Sequence, residues 1–332
     1  MIGWLKIGDP SAVAEARRRA RRTASLLGFD PYRLENIAIV ATEIAQNILR
    51  HGGGGKMLVQ LFGPPGDEKL YLIGIDEGPG IRRVDRMLED GVSTGGSAGT
   101  GLGAIRRLSD RMDIDTAPGA GTVVTAEFTS DSADPAWDHT GLRIPYPGEQ
   151  KCGDAVAARV AGAKAWYLVC DGLGHGVKAA SAASAAKARF LETPADDPVA
   201  ILDTMNEALE GTRGAVAAVV RIDRASARLD YAAIGNITTM IVQDRVSRRL
   251  AVRDGLLGGR RTSPHEESAE IGADAMVLMH SDGLATLRRV SERPTLMQRS
   301  STVVAARLLA EATRGRDDSS ILVTRMRAAR AL

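Results

Sequence analysis

Apolar positions in the first fifty residues recur every three to four places, and beyond residue 55 they gather into short strand-like runs. Residues 3–7 read as a short strand. Asp9, Pro10 and Ser11 then supply cap and first-turn chemistry for a helix reaching about residue 27. A second helix starts at Pro31. Its apolar stripe (Leu34, Ile37, Ala38, Ala41, Ile44, Ala45 and Ile48) keeps the helical period until Gly52-Gly53-Gly54-Gly55 breaks it. Strand-like runs follow at 57–62, 70–75, 112–116 and 122–128, with the segment 82–97 and a helix from 102 to about 110 between them. The pattern predicts a layered α/β sandwich, with helices on one side of a mixed sheet.

The second half begins with strands at 141–146, 155–161 and 165–170, followed by helices at 177–191 and 198–210. Strands return at 216–222, 229–234, 239–243, 247–251 and 275–280, and a helix at 302–313 leads to a last strand at 320–326. Many strands with helices in blocks suggest a β-sandwich flanked by helices. A polar stretch with one proline and no periodicity separates the halves. The expected organisation is two α/β domains: residues 1–129, a linker at 130–138, and residues 139–332. A length of 332 residues agrees with two domains.

Composition narrows the field. A net charge of +2 with 25% charged residues leaves no nucleic-acid footprint. The run Arg17-Arg18-Arg19-Ala20-Arg21-Arg22 reads as a solvated helix face. No apolar stretch approaches the ~18 residues a membrane span needs, and residues 1–10 lack the parts of a signal peptide. Cys152 and Cys170 are too few for a disulfide scaffold or a four-ligand zinc site. A cytoplasmic protein, with no nucleic-acid or membrane partner, is expected.

Four motifs carry the chemistry of the first half. Glu43, Asn47 and His51 share one face of the second helix by their i, i+4, i+8 spacing. Asp76-Glu77-Gly78-Pro79-Gly80 follows a strand, Gly99-Thr100-Gly101-Leu102-Gly103 opens a helix, and Gly119-Ala120-Gly121-Thr122 lies between two strands. An aspartate at a strand end can accept a hydrogen bond from adenine, and glycines allow close backbone approach. A helix start offers amide donors to phosphate. In order and spacing, these motifs resemble the Bergerat-type ATP-binding domain of the GHKL superfamily, and within it the small serine kinases that act as anti-sigma factors or stressosome switches. The resemblance implies ATP with magnesium as cofactor. It implies Glu43 as catalytic base, Asn47 as magnesium ligand, Asp76 and Thr122 at the adenine, and Gly78, Gly80, Gly99, Gly101 and Gly103 around the nucleotide. The short interval between Gly80 and Gly101, and the short segment before the helix motif, fit the serine kinases better than chaperone, topoisomerase or sensor-kinase relatives.

In the second half, acidic residues abut strand-like runs at Asp154, Asp171, Asp282 and Asp317-Asp318. Strands converging in one sheet would bring such carboxylates together, and the cluster would repel itself unless cations neutralised it. Oxygen ligands suit magnesium or manganese. The motif Asp171-Gly172-Leu173-Gly174-His175-Gly176, with these acids, resembles the metal-dependent PPM serine/threonine phosphatases of the sporulation stage II E type, an αββα sandwich. The resemblance implies two manganese or magnesium ions held by Asp154, a bridging Asp171, the Gly172 carbonyl, Asp282 and Asp317, with Asp318 as the alternative to Asp317. His175 reads either as a contact to phosphate or attacking water, or as a turn or capping histidine. The phosphate-gripping arginine of some relatives cannot be placed.

Together the resemblances imply a bifunctional regulatory kinase and phosphatase that reversibly phosphorylates a STAS-type anti-sigma-factor antagonist or stressosome protein. A nucleotide-regulated phosphatase without kinase activity, and a module that sequesters a sigma factor, are the alternatives.

Overall fold

The structure is a computed structural model describing residues 3–84, 101–129, 137–259 and 262–326. The expected Gly99 and the segment 85–97 lie outside the described residues, as does most of the expected linker. The chain divides into two compact units, one formed by Gly3–Leu61 with Asp67–Ala133 and the other chiefly by Asp134–Leu332.

In the first unit, β1 (Leu5–Ile7), α1 (Pro10–Ala24), α2 (Pro31–His51), β2 (Gly55–Phe62), β3 (Lys69–Asp76), α3 (Gly101–Leu108), β4 (Arg111–Thr116) and β5 (Thr122–Phe128) follow one another. The sheet order is β1-β2-β3-β5-β4, and the β3/β5 and β4/β5 pairings are antiparallel. The helix starts have the chemistry their sequences suggest. Asp9 Oδ1 accepts from the amides of Ser11 at 2.8 Å and Ala12 at 3.1 Å, and Asp30 Oδ1 accepts from Arg33 N at 2.9 Å. A proline fills the first helical position each time. The α1 helix ends earlier than expected: Ser25–Leu27 tightens into a 3-10 turn closed by Gly28. The alanines of α1 and the Ile37, Ala41, Ile44 and Ile48 stripe of α2 pack on alternate residues of the sheet, Leu70, Leu72, Val124, Ala126 and Phe128. Each such branched or aromatic side chain contributes about 1.5–3 kcal/mol by leaving water. Gly74 continues the Leu70-Leu72 face. A Cβ there would lie 2.4 Å from Ile44 Cγ2, so the glycine sets how closely α2 approaches β3.

The second unit contains β6 (Trp137–Ile144), β7 (Asp154–Ala161), β8 (Lys164–Gly172), α4 (Val177–Glu192), α5 (Pro198–Ala208), β9 (Ala215–Asp223), β10 (Arg228–Ile234), β11 (Thr238–Gln243), β12 (Val246–Arg249), β13 (His265–Glu270), β14 (Met276–His280), α6 (Pro294–Met297), α7 (Ser301–Ala312) and β15 (Ser319–Met326). Two five-stranded sheets, β13-β10-β9-β8-β7 and β12-β11-β14-β15-β6, face each other through β7, β8, β6 and β15. Helices α4 and α5 cover the first sheet and α7 the second, giving the αββα sandwich. The small faces of Ala179, Ala182, Ala183 and Ala186 let α4 lie close on β7 and β8. Between the sheets, Thr324 Oγ1 donates to the Tyr167 hydroxyl at 3.0 Å, and His139 Nδ1 lies 3.1 Å from the same oxygen.

Several elements of the second unit differ from the sequence expectation, among them the short helix α6, which was not expected. Strand β6 takes in Trp137 and Asp138, which read as linker. Trp137 is buried and pairs with Met326, and Asp138 accepts a 2.7 Å hydrogen bond from Ser301 Oγ. Strand β12 ends at Arg249, short of the expected 251. Strand β13 was not expected at all. Its sequence His265-Glu266-Glu267-Ser268-Ala269-Glu270 is too charged to read as a strand, a composition suited to a sheet edge. No helix among the described residues is long and apolar enough to cross a membrane.

Candidate functional sites

In the first unit the expected residues fall around the C-terminal half of α2. Glu43 and Asn47 are half-buried on the helix face away from its core stripe, and His51 is exposed at the end. The start of α3 comes directly against them. A Cβ at Gly101 would sit 3.2 Å from both Asn47 Oδ1 and Glu43 Oε2. Gly103 is buried in the first turn of α3. Asp76 closes β3, and its Oδ1 accepts from Gly78 N at 2.9 Å. Gly52 lies against the same aspartate, since a Cβ there would be 2.4 Å from Asp76 Cβ.

Gly80 has a positive φ of 70°, and a Cβ would fall 2.0 Å from the Ala117 carbonyl oxygen. Gly121, at 65°, stands in the same relation to the Asp76 carbonyl, at 2.1 Å. Both contacts are with backbone, so only glycine fits without moving the loops. Thr122 pairs directly with Asp76 across β3 and β5. Its Oγ1 lies 3.2 Å from that of Thr116, which donates to Gly121 O and accepts from Ile81 N. Thr116 was not singled out from sequence. Its place opposite Thr122 in the β4/β5 register is the only signal for it.

In the second unit, β7 and β8 pair so that Asp154 and Asp171 are direct cross-strand partners. Asp154 is fully buried: Ser281 Oγ donates to its Oδ2 at 2.6 Å, while Oδ1 has no hydrogen-bond partner. Asp318, also buried, accepts from Tyr146 N at 2.8 Å through Oδ1, and its Oδ2 has no partner. Asp282 Oδ2 accepts from Asn236 Nδ2 at 2.8 Å. Asp317 Oδ1 accepts from the amide of Asp318.

Burial, and after it the neighbouring carboxylates, pushes Asp171 well above the ordinary carboxylate range; Asp154, Asp282, Asp317 and Asp318 all contribute. Burial is likewise the first cause for Asp154, with Asp318 and Asp317 adding to it, and for Asp282, with Asp317. These five acids form one electrostatic cluster. They are not drawn into a shell: among the described residues no three His, Cys, Asp or Glu side chains stand ready to hold an ion. Asp154, Asp282, Asp317 and Asp318 are each turned to a donor of their own.

The donor set is nevertheless that of a hard cation. It is all oxygen, and two buried carboxylate oxygens are orphaned, which native interiors seldom tolerate. Gly153 preserves the space, since a Cβ there would lie 2.6 Å from Asp318 Oδ2. Gly172 N donates to Gly153 O at 3.0 Å, tying the start of the glycine loop to the strand that carries Asp154.

His175 does not cap α4; the N-cap of that helix is Gly176, and no side chain caps it. Its ring stacks on Tyr146 with centroids 4.4 Å apart and 11° between planes, and its Nδ1 lies 3.1 Å from Glu149 Oε1. Three arginines stand close by. Arg143 Nη1 donates to the Asp154 carbonyl at 2.9 Å, Arg314 Nη1 to the Asp282 carbonyl at 3.3 Å, and Arg213 Nη1 comes within 3.3 Å of the Cβ position of Gly174. Arg143, Ser281, Asn236, Tyr146 and Glu149 were not found from sequence. Cys152, just before β7, and Cys170, within β8, are buried free thiols.

Residues 161–327 match the family described as stage II sporulation protein E, and residues 8–128 match the histidine kinase-like ATPase domain. The serine/threonine-protein kinase RsbT of Bacillus subtilis is 33% identical over 114 residues, covering 34% of this chain and 86% of RsbT. The phosphoserine phosphatase RsbX of the same organism is 24% identical over 138 residues, covering 41% of this chain and 69% of RsbX. Among solved structures, one from work on the bacterial stressosome superposes with a TM-score of 0.54 at 26% identity, over 57% of this chain and 99% of that one. RsbX in complex with magnesium superposes at 0.53 and 19% identity, over 65% of this chain and 100% of its own, a likeness of fold.

Proposed function

Because the chain belongs to the stage II sporulation protein E family and carries a histidine kinase-like ATPase domain, we propose that it both removes and adds phosphate on serine or threonine of one regulatory protein. The phosphatase half rests on one observation above the rest: buried Asp154 and half-buried Asp171 face each other across β7 and β8, within an acid cluster that has orphaned oxygens. In this reading Asp171, Asp282, Asp317, Asp154 and the Gly172 carbonyl hold two manganese or magnesium ions. Asp318, whose buried Oδ2 is orphaned, stands as the alternative to Asp317. When bound, the ions neutralise the acids and acidify the attacking water. The chain itself contributes the rest. Ser281 and Asn236 orient Asp154 and Asp282, while Arg143, Arg213 and Arg314 supply positive charge for an incoming phosphate.

The kinase half reads as follows. Asp76 accepts from the adenine amine with Thr122 beside it, Gly78 and Gly80 let the base approach, and Gly101 and Gly103 present the start of α3 to the phosphates. Asn47 holds magnesium. Glu43 takes the proton from the acceptor hydroxyl. The juxtaposition of Gly101 with Glu43 and Asn47 supports this reading, because it joins the glycine motif to the helix motif.

The RsbT and RsbX likenesses favour an anti-sigma-factor antagonist or stressosome protein of the STAS class as the phosphorylated partner. The test is to incubate the protein with labelled ATP and purified STAS candidates, with and without manganese. Label entering a STAS serine or threonine, and leaving it only when manganese is present, is the expected result. Absence of any incorporation would reduce the first unit to a nucleotide-binding regulator.

A further inference from the structure

The segment joining β8 to α4 is pinned at two glycines and open between and after them. Gly172 and Gly176 are buried. A Cβ on the first would lie 2.3 Å from the Ala179 carbonyl oxygen, and one on the second 3.0 Å from Glu149 Oε1. Leu173 N donates to Gly214 O at 3.1 Å, which holds the backbone against the residue before β9. From this fixed backbone two large apolar side chains stand in water. Leu173 is 55% exposed, and Val177, the first residue of α4, is 66% exposed. Single exposed apolar residues are ordinary on a protein surface. These are not scattered. Six large apolar side chains are exposed among the described residues; two of them bracket the loop that follows Asp171, and two more, Tyr32 and Ile39, lie on the α2 face of Glu43, eleven and four residues before it. Four of the six therefore border residues proposed to act on a serine or threonine. Basic groups accompany the pair in the second unit. Arg213 Nη1 comes within 3.3 Å of the Cβ position of Gly174, and Lys178 is exposed next to Val177. Neither is drawn into an ion pair among the described residues.

We propose that Leu173 and Val177 read the protein around the phosphorylated residue, accepting a phosphoserine or phosphothreonine segment with aliphatic side chains on either side of it. The inference rests on the phosphatase reading above. Charge complementarity favours this occupant, because a phosphorylated side chain brings close to two negative charges to a loop accompanied by Arg213 and Lys178. The apolar pair supplies what the charges cannot, a choice between segments that carry the same phosphate. Aliphatic flanks and the two loop side chains shed water together, whereas polar flanks would lose hydration without gaining a partner. A small phosphate ester has no flanks to offer, so the pair should be silent toward it.

The test compares two phosphoserine peptides of equal length and charge with manganese present, one with leucine immediately before and after the phosphoserine and the other with asparagine in both places. The control without flanks is 4-nitrophenyl phosphate. The wild type is expected to favour the leucine peptide by about 10-fold in kcat/KM, the lower end of what one housed apolar group confers on specificity. Leu173→Ser and Val177→Ser should each reduce that preference about threefold or more through KM, and the double variant should abolish it. Rates on the asparagine peptide and on the small ester should stay within about twofold of the wild type, which also shows the variants to be folded. Leu173→Met, which keeps the apolar area, should keep the preference. A wild type with no preference, a preference for asparagine, or variants that lose equally on all three substrates would overturn the proposal. A wild type that hydrolyses none of the three sinks the phosphatase reading and this inference with it; hydrolysis of all three without regard to flanks removes the role of Leu173 and Val177 alone.

Discussion

The candidate nucleotide site of the first unit is shaped by glycine backbone, whereas the acid site of the second unit is marked by carboxylates lying in one another's field. Gly80 and Gly121 leave no room for a methyl group against the Ala117 and Asp76 carbonyls, and Gly52 and Gly78 crowd the Asp76 side chain. That geometry comes with folding, because hydrogen bonds such as Gly119 N to Pro79 O, at 2.8 Å, hold the loops. The acid site is the reverse. Its strands converge for reasons of sheet packing, and the convergence forces Asp154, Asp171, Asp282, Asp317 and Asp318 into each other's field. The described part of the first site is held by its own backbone; the second is electrostatically frustrated until something positive joins it. A bound cation should therefore stabilise the second unit by mass action, over and above any effect on rate.

The sharpest way to break this contrast is to remove the positive charge or its central ligand. Chelation with EDTA, or Asp171→Asn, should lower phosphate release on the order of 100-fold or more, exceeding the roughly 10- to 100-fold typical of losing an outer partner of a metal ligand. Phosphate transfer by the first unit, measured with magnesium restored, should be unchanged in Asp171→Asn. A chelated protein that keeps its phosphatase rate contradicts the cation reading.

The corresponding cut at the nucleotide site separates chemistry from binding. Glu43→Ala should lower transfer to the protein acceptor by about 10²–10⁴-fold, as loss of a general base does. ATP affinity, read by calorimetry, should change by less than about threefold. Asp76→Asn should do the opposite, weakening ATP binding about tenfold or more through an exchanged hydrogen bond. Equal loss of binding in both variants would make Glu43 structural.

What could be read from the chain divides along the same line. The motifs proposed for the nucleotide could be picked out because each is a short contiguous segment. Thr116 escaped because it matters only through its register with Thr122. The acids were legible as a set, since strand ends are readable one at a time. Their supporting residues were not. Ser281 reaches Asp154 only because β14 and β15 lie in the sheet that faces β7, and Asn236 reaches Asp282 only because β11 pairs with β14. Tyr146 and Glu149 lie beside an obvious Pro-Gly turn, but nothing in the chain tells that the turn meets a loop 26 residues further on. Strand β13 was lost to its own charge, and the early start of β6 to a polar neighbourhood.

A smaller effect sharpens the contrast through pH. Buried Asp154 and half-buried Asp171 are raised above the ~3.9 of an unfolded aspartate. The folded state therefore holds protons that the unfolded state has lost, so stability is fullest below that value and declines as pH rises through the raised folded range. In metal-free protein the melting temperature of the second unit should drop between about pH 5 and 8, by roughly 5 °C or more. Manganese should remove most of that slope, because binding displaces the same protons. A metal-free melting temperature that rises across this range would mean the acids are paired with positive groups instead.

The smallest expected effect sets two opposing terms against each other at Gly101. This residue opens α3, where alanine is favoured over glycine by up to about 1 kcal/mol. The added methyl would meet Glu43 Oε2 and Asn47 Oδ1 at 3.2 Å, a tight contact with side-chain ends that can yield by a few tenths of an ångström. Backbone carbonyls, as at Gly80 and Gly121, could not yield in this way. Gly101→Ala should thus leave the melting temperature of the first unit unchanged or raise it by a degree or two, on the order of the helix term. It should also turn Glu43 and Asn47 out of line, lowering phosphate transfer about three- to tenfold, since small misplacements of reacting groups carry a cost of that kind or greater. Thermal unfolding and single-turnover transfer measured on the same preparation distinguish the terms. If stability rises and transfer is untouched, the contact is only packing. If both fall together, α3 depends on a bare backbone at this position, and the site is less complete as folded than its glycines imply.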